Sequence, residues 1–275
     1  MRHTRVALLI ALMAIAVPVP PASPPPLAVS TDYASVRERM TQAGFGELAR
    51  DRNFLAFDPS GDGRAVEVIG DLASARRIVV LVPGVDTTLR DFDRGLGGVP
   101  RRAPSVQARA VYEAVGWAPD VAVVAWLGYD PPEGMGVAAV RRERALAGAQ
   151  ELQRFVPALN PNATFVIVGH SYGTVVMGLA AASGLPANVT DLVALASPGL
   201  GEEFRPEARL WGATAETDWI RRVPAVRLAG FGHGPDPADS AARPLPTDGV
   251  TGHDAYLVPG STTLQALAGI ILNQE

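Results

Sequence analysis

The chain has 275 residues, of which 48% are apolar, and this is enough to form one large core in an α/β domain. A formal net charge of −4 gives no support for nucleic acid as a partner. Cysteine is absent, which excludes disulfides, thiolate metal sites and cysteine catalysis.

The first 30 residues have the pattern of an export signal followed by a spacer. Arg2 and Arg5 precede an apolar run at residues 6–17, and proline is frequent from residue 18 onwards. The apolar run would form a helix of about 18 Å, shorter than the ~30 Å hydrocarbon core of a membrane. We therefore predict a cleaved signal, with an uncleaved tether as the alternative, and then a disordered or polyproline spacer up to residue 30. This pattern predicts a secreted or cell-envelope protein whose residues 31–275 form a single domain.

The segment after the spacer predicts a helix and an edge hairpin. Residues 32–49 have partly helical spacing, with Thr31 or Asp32 as the N-cap. Two strand-like runs, 54–57 and 65–69, then flank a turn rich in Gly and Asp. This is the pattern of an N-terminal β-hairpin at the edge of a sheet.

Continuous apolar runs alternate with helical segments through the middle of the chain. This alternation predicts an α/β fold with a mostly parallel sheet and helices on both faces. In the last third, we interpret residues 209–215 as a strand, 225–229 as strand or loop, and 230–247 as irregular because they are rich in Gly, Pro and Asp. The predicted strands are 78–82, 121–126, 164–168 and 192–196, and the predicted helices are 105–115, 141–156, 174–183 and 262–272.

The pentapeptide GHSYG at residues 169–173 is the most informative motif, because it reads G-x-S-x-G and joins a predicted strand to a predicted helix. This strand–turn–helix geometry lifts a serine hydroxyl out of the top of a sheet. The same letters also occur by chance in ordinary turns. With the flanking strand and helix in place, Ser171 is the predicted nucleophile.

A serine nucleophile needs a base, and the chain has four histidines. His3 lies in the predicted signal. His170 lies inside the turn, where we expect its side chain to point elsewhere and pack nearby. In serine hydrolases of this strand–turn–helix type the chain order is serine, acid, histidine, with the histidine on a late loop. His253 fits that position and is preferred over His233, which we interpret as a loop residue that bonds backbone or lines the site.

The acid that orients the base should lie between the nucleophile and His253 in the chain. A carboxylate there would fix the tautomer and orientation of the imidazole. Asp218, just after the predicted strand 209–215, is the preferred candidate. Glu216, Asp236 and Asp239 stay open, because most aspartates after strands are caps or turn residues.

Acyl transfer also needs hydrogen-bond donors for the oxyanion. One is predicted to be the backbone N–H of Tyr172, directly after the nucleophile. The other is expected from the loop after strand 78–82, where Gly84 permits a close approach of the backbone and the N–H of Val85 faces the site. The alternative is that Pro83 and Gly84 form an ordinary turn.

Tyr129 and Asp130 follow the predicted strand 121–126, at the strand ends where parallel sheets bind their ligands. We interpret them, with Gly84, as substrate-binding candidates that line an acyl or alcohol pocket. The alternative, slightly favoured for Asp130, is that it only initiates the turn that the following proline enforces.

Together these motifs resemble an actinobacterial α/β-hydrolase family of unknown function, from about Phe54 to the C-terminus. The resemblance implies the α/β-hydrolase fold, a serine nucleophile at Ser171 and His253 as the base, and it gives weaker support to Asp218 as the acid. It implies no substrate, metal or cofactor. The order of the three groups is also similar to that in secreted cutinases, which usually carry disulfides that this chain lacks. The segments that carry the resemblance are 57–59, 70–71, 82–84, 126–130, 169–174, 197–199, 233–237 and 252–256.

The sequence therefore predicts an exported serine hydrolase that cleaves a small-molecule or lipid carboxylic ester through an acyl-enzyme on Ser171, without a metal or cofactor. The alternative is a non-catalytic cell-envelope or binding protein that has retained the hydrolase fold. The strand–turn–helix setting of Ser171 and the late position of His253 favour the enzyme.

Overall fold

A central β-sheet dominates the computed structural model, which describes residues 25–134, 136–201, 207–226, 232–239 and 242–273. Within these ranges the sheet has eight strands. They are β1 (Asn53–Asp58), β2 (Arg64–Ile69), β3 (Arg77–Val82), β4 (Val121–Leu127), β5 (Thr164–His170), β6 (Val189–Leu195), β7 (Arg209–Ala213) and β8 (Arg243–Pro244). The order is β1-β2-β4-β3-β5-β6-β7-β8; β2 pairs antiparallel with β1 and β4, and all other neighbours are parallel. The predicted edge hairpin and mostly parallel sheet are therefore confirmed.

Helices lie on both faces of the sheet, as predicted. They are α1 (Tyr33–Gln42), α2 (Gly46–Ala49), α3 (Pro104–Ala114), α4 (Val137–Val140), α5 (Glu143–Phe155), α6 (Tyr172–Ser183) and α7 (Thr262–Ile271). Because side chains alternate between the two faces of a strand, Val79 of β3 joins one buried cluster and Ile78 joins the other. Helices α1, α3 and α7 contribute to the cluster of Val79, and α5 and α6 contribute to the cluster of Ile78.

The crossover at the centre of the sheet positions the candidate site. β3 lies between β4 and β5 although it precedes both in the chain, and Val82 pairs with Gly169. The loops after β3 and β5 therefore leave the sheet side by side at its carboxyl edge, where α/β sheets bind ligands. β6 and β7 continue the same parallel order, so the segment after Ala213 begins at this edge as well.

Strand limits differ from the sequence prediction in both directions, because hydrogen bonds to a neighbouring strand, and not the apolar run alone, set where a strand ends. β5 continues through His170 and so ends directly at Ser171. β7 stops at Ala213, two residues before the predicted end. Residues 243–244, predicted as irregular, form β8 against β7. Residues 225–226 form no strand, and 227–229 lie outside the described residues.

The stretch at residues 25–30, predicted as the end of a spacer, is instead held against the domain. The Ser30 N–H donates to the Leu55 carbonyl at 2.8 Å, and the Leu27 N–H donates to Glu151 at 3.2 Å. These contacts order the stretch, so residues 25–30 are not the disordered spacer that was one of the two predicted forms. The predicted export signal lies outside the described residues, and within the described part of the chain no helix is long and apolar enough to cross a membrane.

Candidate active site

Ser171 lies on a sharp turn between β5 and α6, the geometry that the G-x-S-x-G motif predicts. Its φ of 54° and ψ of −126° are strained for a residue with a side chain. Its N–H donates to the Leu195 carbonyl at 2.9 Å, and its carbonyl accepts from the N–H and hydroxyl of Thr174 at 2.9 and 2.7 Å. A Cβ at Gly173 would lie 2.2 Å from the Val82 carbonyl oxygen, so only glycine lets α6 begin this close to β3.

His253 and Asp218 form a hydrogen-bonded pair on the loops that precede α7 and follow β7. His253 Nδ1 lies 2.9 Å from Asp218 Oδ1 and 3.1 Å from Oδ2. A carboxylate only accepts, so Nδ1 carries the hydrogen, and in the neutral imidazole the lone pair that a general base uses is then on Nε2. Asp218 is buried and also accepts from the Tyr256 hydroxyl at 2.7 Å and the Ile220 N–H at 2.9 Å.

These donors keep Asp218 ionised. Burial alone would raise the pKa of its carboxyl, but the hydrogen bonds from His253, the Ile220 N–H and Tyr256 hold that pKa below its ordinary value. An ionised carboxylate fixes the tautomer of the imidazole and would stabilise an imidazolium at His253.

The other carboxylates considered from the sequence do not contact His253. Glu216 is exposed. Asp236 accepts hydrogen bonds from the Thr214 hydroxyl and the Ala238 N–H, and Asp239 forms an exposed ion pair. Asp218 is therefore the acid that the structure pairs with the histidine.

A small cavity of about 320 Å³ brings the serine and the histidine together. Ser171 and His253 both line it, with Gly84, Val85 and Trp219. Among the described residues no hydrogen bond joins Ser171 Oγ to His253, and such contacts are often long until substrate binds. The structure thus gathers the predicted nucleophile, base and acid at one edge of the sheet, and their catalytic role stays a prediction.

The two predicted oxyanion donors border the same space. A Cβ at Gly84 would lie 2.8 Å from Ser171 Cβ, so the loop after β3 approaches the serine closely. Neither the Val85 N–H nor the Tyr172 N–H donates to an acceptor within the part of the chain that the structure describes. Each residue lines a cavity together with Ser171, so both amides are available to an oxyanion.

A large cavity of about 590 Å³ also opens at Ser171. Its walls are almost entirely apolar and include side chains of the segments 139–140 and 219–226. His233 lines this cavity and bonds a backbone carbonyl through Nε2 at 2.7 Å, in agreement with its interpretation as a loop residue. His253 does not border the large cavity.

Tyr129 does not line either cavity, and the prediction that it binds substrate is wrong. It is 1% exposed, stacks on Trp126, and donates its hydroxyl to the Pro83 carbonyl at 2.7 Å. It therefore supports the loop after β3 from within the core. Asp130 pairs with Arg144 of α5 and also lies outside both cavities, so the structure does not place it at the predicted pocket.

His170 positions the loop of His253, a role that sequence reasoning missed. Its Nε2 donates to the His253 carbonyl at 2.8 Å, and the two rings lie 5.0 Å apart. Burial is the main cause that lowers the pKa of His170 to about 4, and the neighbouring His253 is the second. The ring is therefore neutral near pH 7. Its place beside Ser171 in the pentapeptide was the only signal, and it does not indicate what the side chain contacts.

The neutral state of His170 predicts an acid-sensitive fold. In the unfolded chain this histidine takes a proton near pH 6.5, whereas in the folded chain it stays neutral down to about pH 4. Its contribution to stability is therefore complete above pH 6.5, and the free energy of unfolding should fall by at most about 3 kcal/mol as the pH drops from 6.5 to 4. Urea unfolding at a series of pH values, for wild type and for His170→Gln, whose amide can still donate to the same carbonyl, measures how the free energy of unfolding changes with pH. An equal pH dependence in the two proteins would contradict the neutral state assigned to His170.

The groups gathered at this edge are those that acyl transfer requires: a hydroxyl, an imidazole oriented by a carboxylate, and two free amides. Among the residues with described side chains, no three His, Asp or Glu residues are grouped so as to hold a metal ion.

Comparison with known proteins identifies the family of the fold. Residues 58–228, more than half of the chain, match the model of a family described as alpha/beta hydrolase. The chain belongs to the alpha/beta hydrolase family. It is similar to an uncharacterized protein of Mycobacterium tuberculosis strain H37Rv, at 29% identity over 231 residues, with 79% of this chain and 78% of that protein covered. A longer uncharacterized protein of the same strain is 28% identical over 290 residues, with 87% of this chain and 43% of that protein covered. The predicted actinobacterial family is confirmed.

Two solved structures are more distantly similar. XC6422 from Xanthomonas campestris, an α/β serine hydrolase without a lid, is 18% identical with a TM-score of 0.45, over 82% of this chain and 93% of that chain. Est1E from Butyrivibrio proteoclasticus is 14% identical with a TM-score of 0.46, over 81% of this chain and 98% of that chain. Similarity at this distance assigns no activity or substrate.

Proposed function

We propose that the chain is an exported serine hydrolase that cleaves carboxylic esters through an acyl-enzyme on Ser171. The observation that carries this proposal is the hydrogen bond between His253 and buried Asp218, at the cavity that the strained Ser171 also lines. A carboxylate that orients an imidazole near a serine on a strand–helix turn is the arrangement that acyl-transfer enzymes use.

Acylation and deacylation would use the same groups. Ser171 Oγ attacks the ester carbonyl carbon while His253 Nε2 takes its proton. The N–H groups of Tyr172 and Val85 donate to the oxyanion, and each is expected to stabilise the transition state by about 3 kcal/mol. The imidazolium gives its proton to the leaving alkoxide oxygen as the C–O bond breaks. A water that His253 deprotonates then attacks the acyl-enzyme, and the imidazolium returns that proton to Ser171 Oγ as the acyl C–O bond breaks and the acid leaves.

The large cavity suits the acyl part of the substrate. The leaving group must lie within reach of His253, which protonates it, so the acyl chain takes the cavity that His253 does not border. Both oxyanion donors and Ser171 line this cavity. Apolar walls favour an aliphatic chain, because each buried CH₂ group contributes about 0.8 kcal/mol.

The sequence pattern of the first 30 residues supports export. A basic start, an apolar run too short to span a membrane and a following proline-rich stretch are typical of a secretory signal. The substrate would then be encountered outside the cytoplasm. N-terminal sequencing of the protein recovered from the culture medium or the cell envelope tests this part, and recovery of the uncleaved chain from the cytoplasm alone would contradict it.

A chain-length series tests the ester hydrolase. Wild-type protein should hydrolyse p-nitrophenyl esters with a kcat/KM that rises about 2- to 4-fold for each added CH₂ group until the large cavity is filled. A fluorophosphonate probe should modify Ser171, as located by mass spectrometry. Folded protein that neither reacts with the probe nor turns over any ester would refute the proposal and favour a non-catalytic binding protein.

A further inference from the structure

The small cavity contains polar groups that the proposed reaction does not use. Besides the serine and the histidine, it is lined by Asp86, Arg102, Gln107 and Asp254. His253, which would protonate the leaving group, borders this cavity and not the large one. The small cavity is therefore the space into which the alcohol part of an ester would leave.

Three accepting oxygens at this cavity have no donor among the described residues. Asp86 Oδ1 accepts a backbone N–H at 2.6 Å, which leaves Oδ2 free. Gln107 Nε2 donates to a backbone carbonyl at 2.9 Å, which leaves Oε1 free. Asp254 Oδ2 accepts from Arg102 Nε at 2.6 Å, which leaves Oδ1 free. These oxygens can accept hydrogen bonds from a ligand.

The charges at the cavity disfavour an anionic ligand. Arg102 is the cation at this cavity, and its charge is already paired with Asp254. Asp86 has no cationic partner within the described ranges, so the cavity has an excess of negative charge. A phosphate, sulfate or carboxylate would meet that excess at close range. Arg102 still offers its terminal N–H groups as donors, because its Nε is the only guanidinium nitrogen bonded to a described residue.

Hydroxyl groups match this arrangement of acceptors and donors. A hydroxyl donates one hydrogen bond and accepts others, so it can pair with a free carboxylate or amide oxygen and with a guanidinium N–H. A volume of about 320 Å³ limits the ligand to a small molecule. The ring of Trp219, 4.4 Å from that of His253, adds an apolar surface beside the reacting atoms.

We propose that the small cavity is the leaving-group site and that it selects a small uncharged alcohol with several hydroxyl groups. This inference rests on the proposed function and specifies its substrate class as the ester of an apolar acid with a small polyol. When the ester C–O bond breaks, the alkoxide oxygen of the polyol takes the proton from the His253 ring, and the neutral polyol leaves through the small cavity.

Octanoate esters that differ only in their alcohol test this selectivity. We compare the kcat/KM of the full-length protein for the 1-glyceryl ester with that for the pentyl ester, whose alcohol has the same number of heavy atoms. The glyceryl ester has two hydroxyl groups that the pentyl ester lacks. Two additional hydrogen bonds from these groups predict a kcat/KM about 10-fold higher for the glyceryl ester. The glycerol 3-phosphate ester should be a poorer substrate than the glyceryl ester, because its phosphate meets the negative charge of the small cavity. The choline ester tests whether that negative charge selects a cationic alcohol instead.

Two variants link the preference to the small cavity. Asp86→Asn keeps an acceptor for the backbone N–H, replaces the free acceptor with a donor, and tolerates the φ of 59° at this position. Gln107→Met removes the free amide oxygen while conserving length. Each should lower the glyceryl-to-pentyl ratio about 3- to 10-fold. The ratio of kcat/KM between pentyl octanoate and pentyl butanoate should not change in either variant. A general distortion of the site would instead alter both ratios.

A wild-type preference for the pentyl or choline ester overturns the inference, as does a glycerol preference that both variants retain. In either case probe labelling of Ser171 and turnover of p-nitrophenyl esters would still support the proposed function. Wild-type protein that is not labelled and hydrolyses no ester would remove the proposed function and the leaving-group assignment with it.

Discussion

Replacing Ser171 with alanine should lower kcat for p-nitrophenyl octanoate about 10⁴- to 10⁶-fold. The hydroxyl oxygen is the atom that would form the acyl-enzyme, and alanine has no nucleophilic atom at that position. The turn itself should persist, because its hydrogen bonds to Leu195 and Thr174 use the backbone of residue 171. Steady-state kinetics and fluorophosphonate labelling measure the loss, and circular dichroism confirms that the variant is folded.

Ser183→Ala is the matched control for this variant. Ser183 is the last residue of α6, the helix that begins directly after Ser171, and its side chain is exposed. The same chemical change at the far end of the same helix should alter kcat less than about 2-fold. If Ser171→Ala retained more than a tenth of wild-type activity, Ser171 would not be the nucleophile.

Asp218→Asn should lower kcat about 10³- to 10⁴-fold with a smaller effect on folding. The carboxylate accepts from His253 Nδ1 and so leaves the lone pair on Nε2, facing substrate. An asparagine amide can donate to Nδ1, which places the hydrogen on Nε2 and removes the general base. Tyr256 and the Ile220 N–H now compete for one oxygen, so a modest loss of thermal stability is also expected. Kinetics and thermal unfolding are measured on the same preparation.

Glu216→Gln is the control for Asp218→Asn. Glu216 lies two residues earlier, satisfies the same sequence criteria and is exposed. Neutralising it should change kcat less than about 2-fold. An equal loss of activity in both variants would assign the effect to the general charge of the loop, and Asp218 would lose its role as the acid.

The sequence predicts most of the fold because its local signals agree with the tertiary arrangement. Runs such as 78–82 and 164–168 are apolar on both faces, as strands buried between two layers of helices must be, and they form β3 and β5. Where prediction was wrong, the cause was a contact distant in sequence. Residues 25–30 look like a free spacer, but hydrogen bonds to Leu55 and Glu151 hold them against the domain.

The chemistry of the site is less visible in the sequence than its position. Tyr129 and Asp130 sit at a strand end, where ligands bind in such sheets, but Tyr129 is buried against Trp126 and Asp130 is paired with Arg144. Strand-end position identifies the edge of the sheet that carries the site. It does not determine whether a given side chain turns towards the cavity or into the core.

The sequence by itself determined the serine turn, the alternation of strands and helices and the preference for His253, because each depends on neighbouring residues or on chain order. Only the tertiary structure decided that Asp218 is the carboxylate in contact with His253, that His170 bonds the carbonyl of His253, and that two cavities of different polarity meet at Ser171. The physical reason is that hydrogen bonds act over about 3 Å. Which groups come that close, across 35 to 83 residues of chain here, is set by how the loops pack at the sheet edge and not by any local pattern.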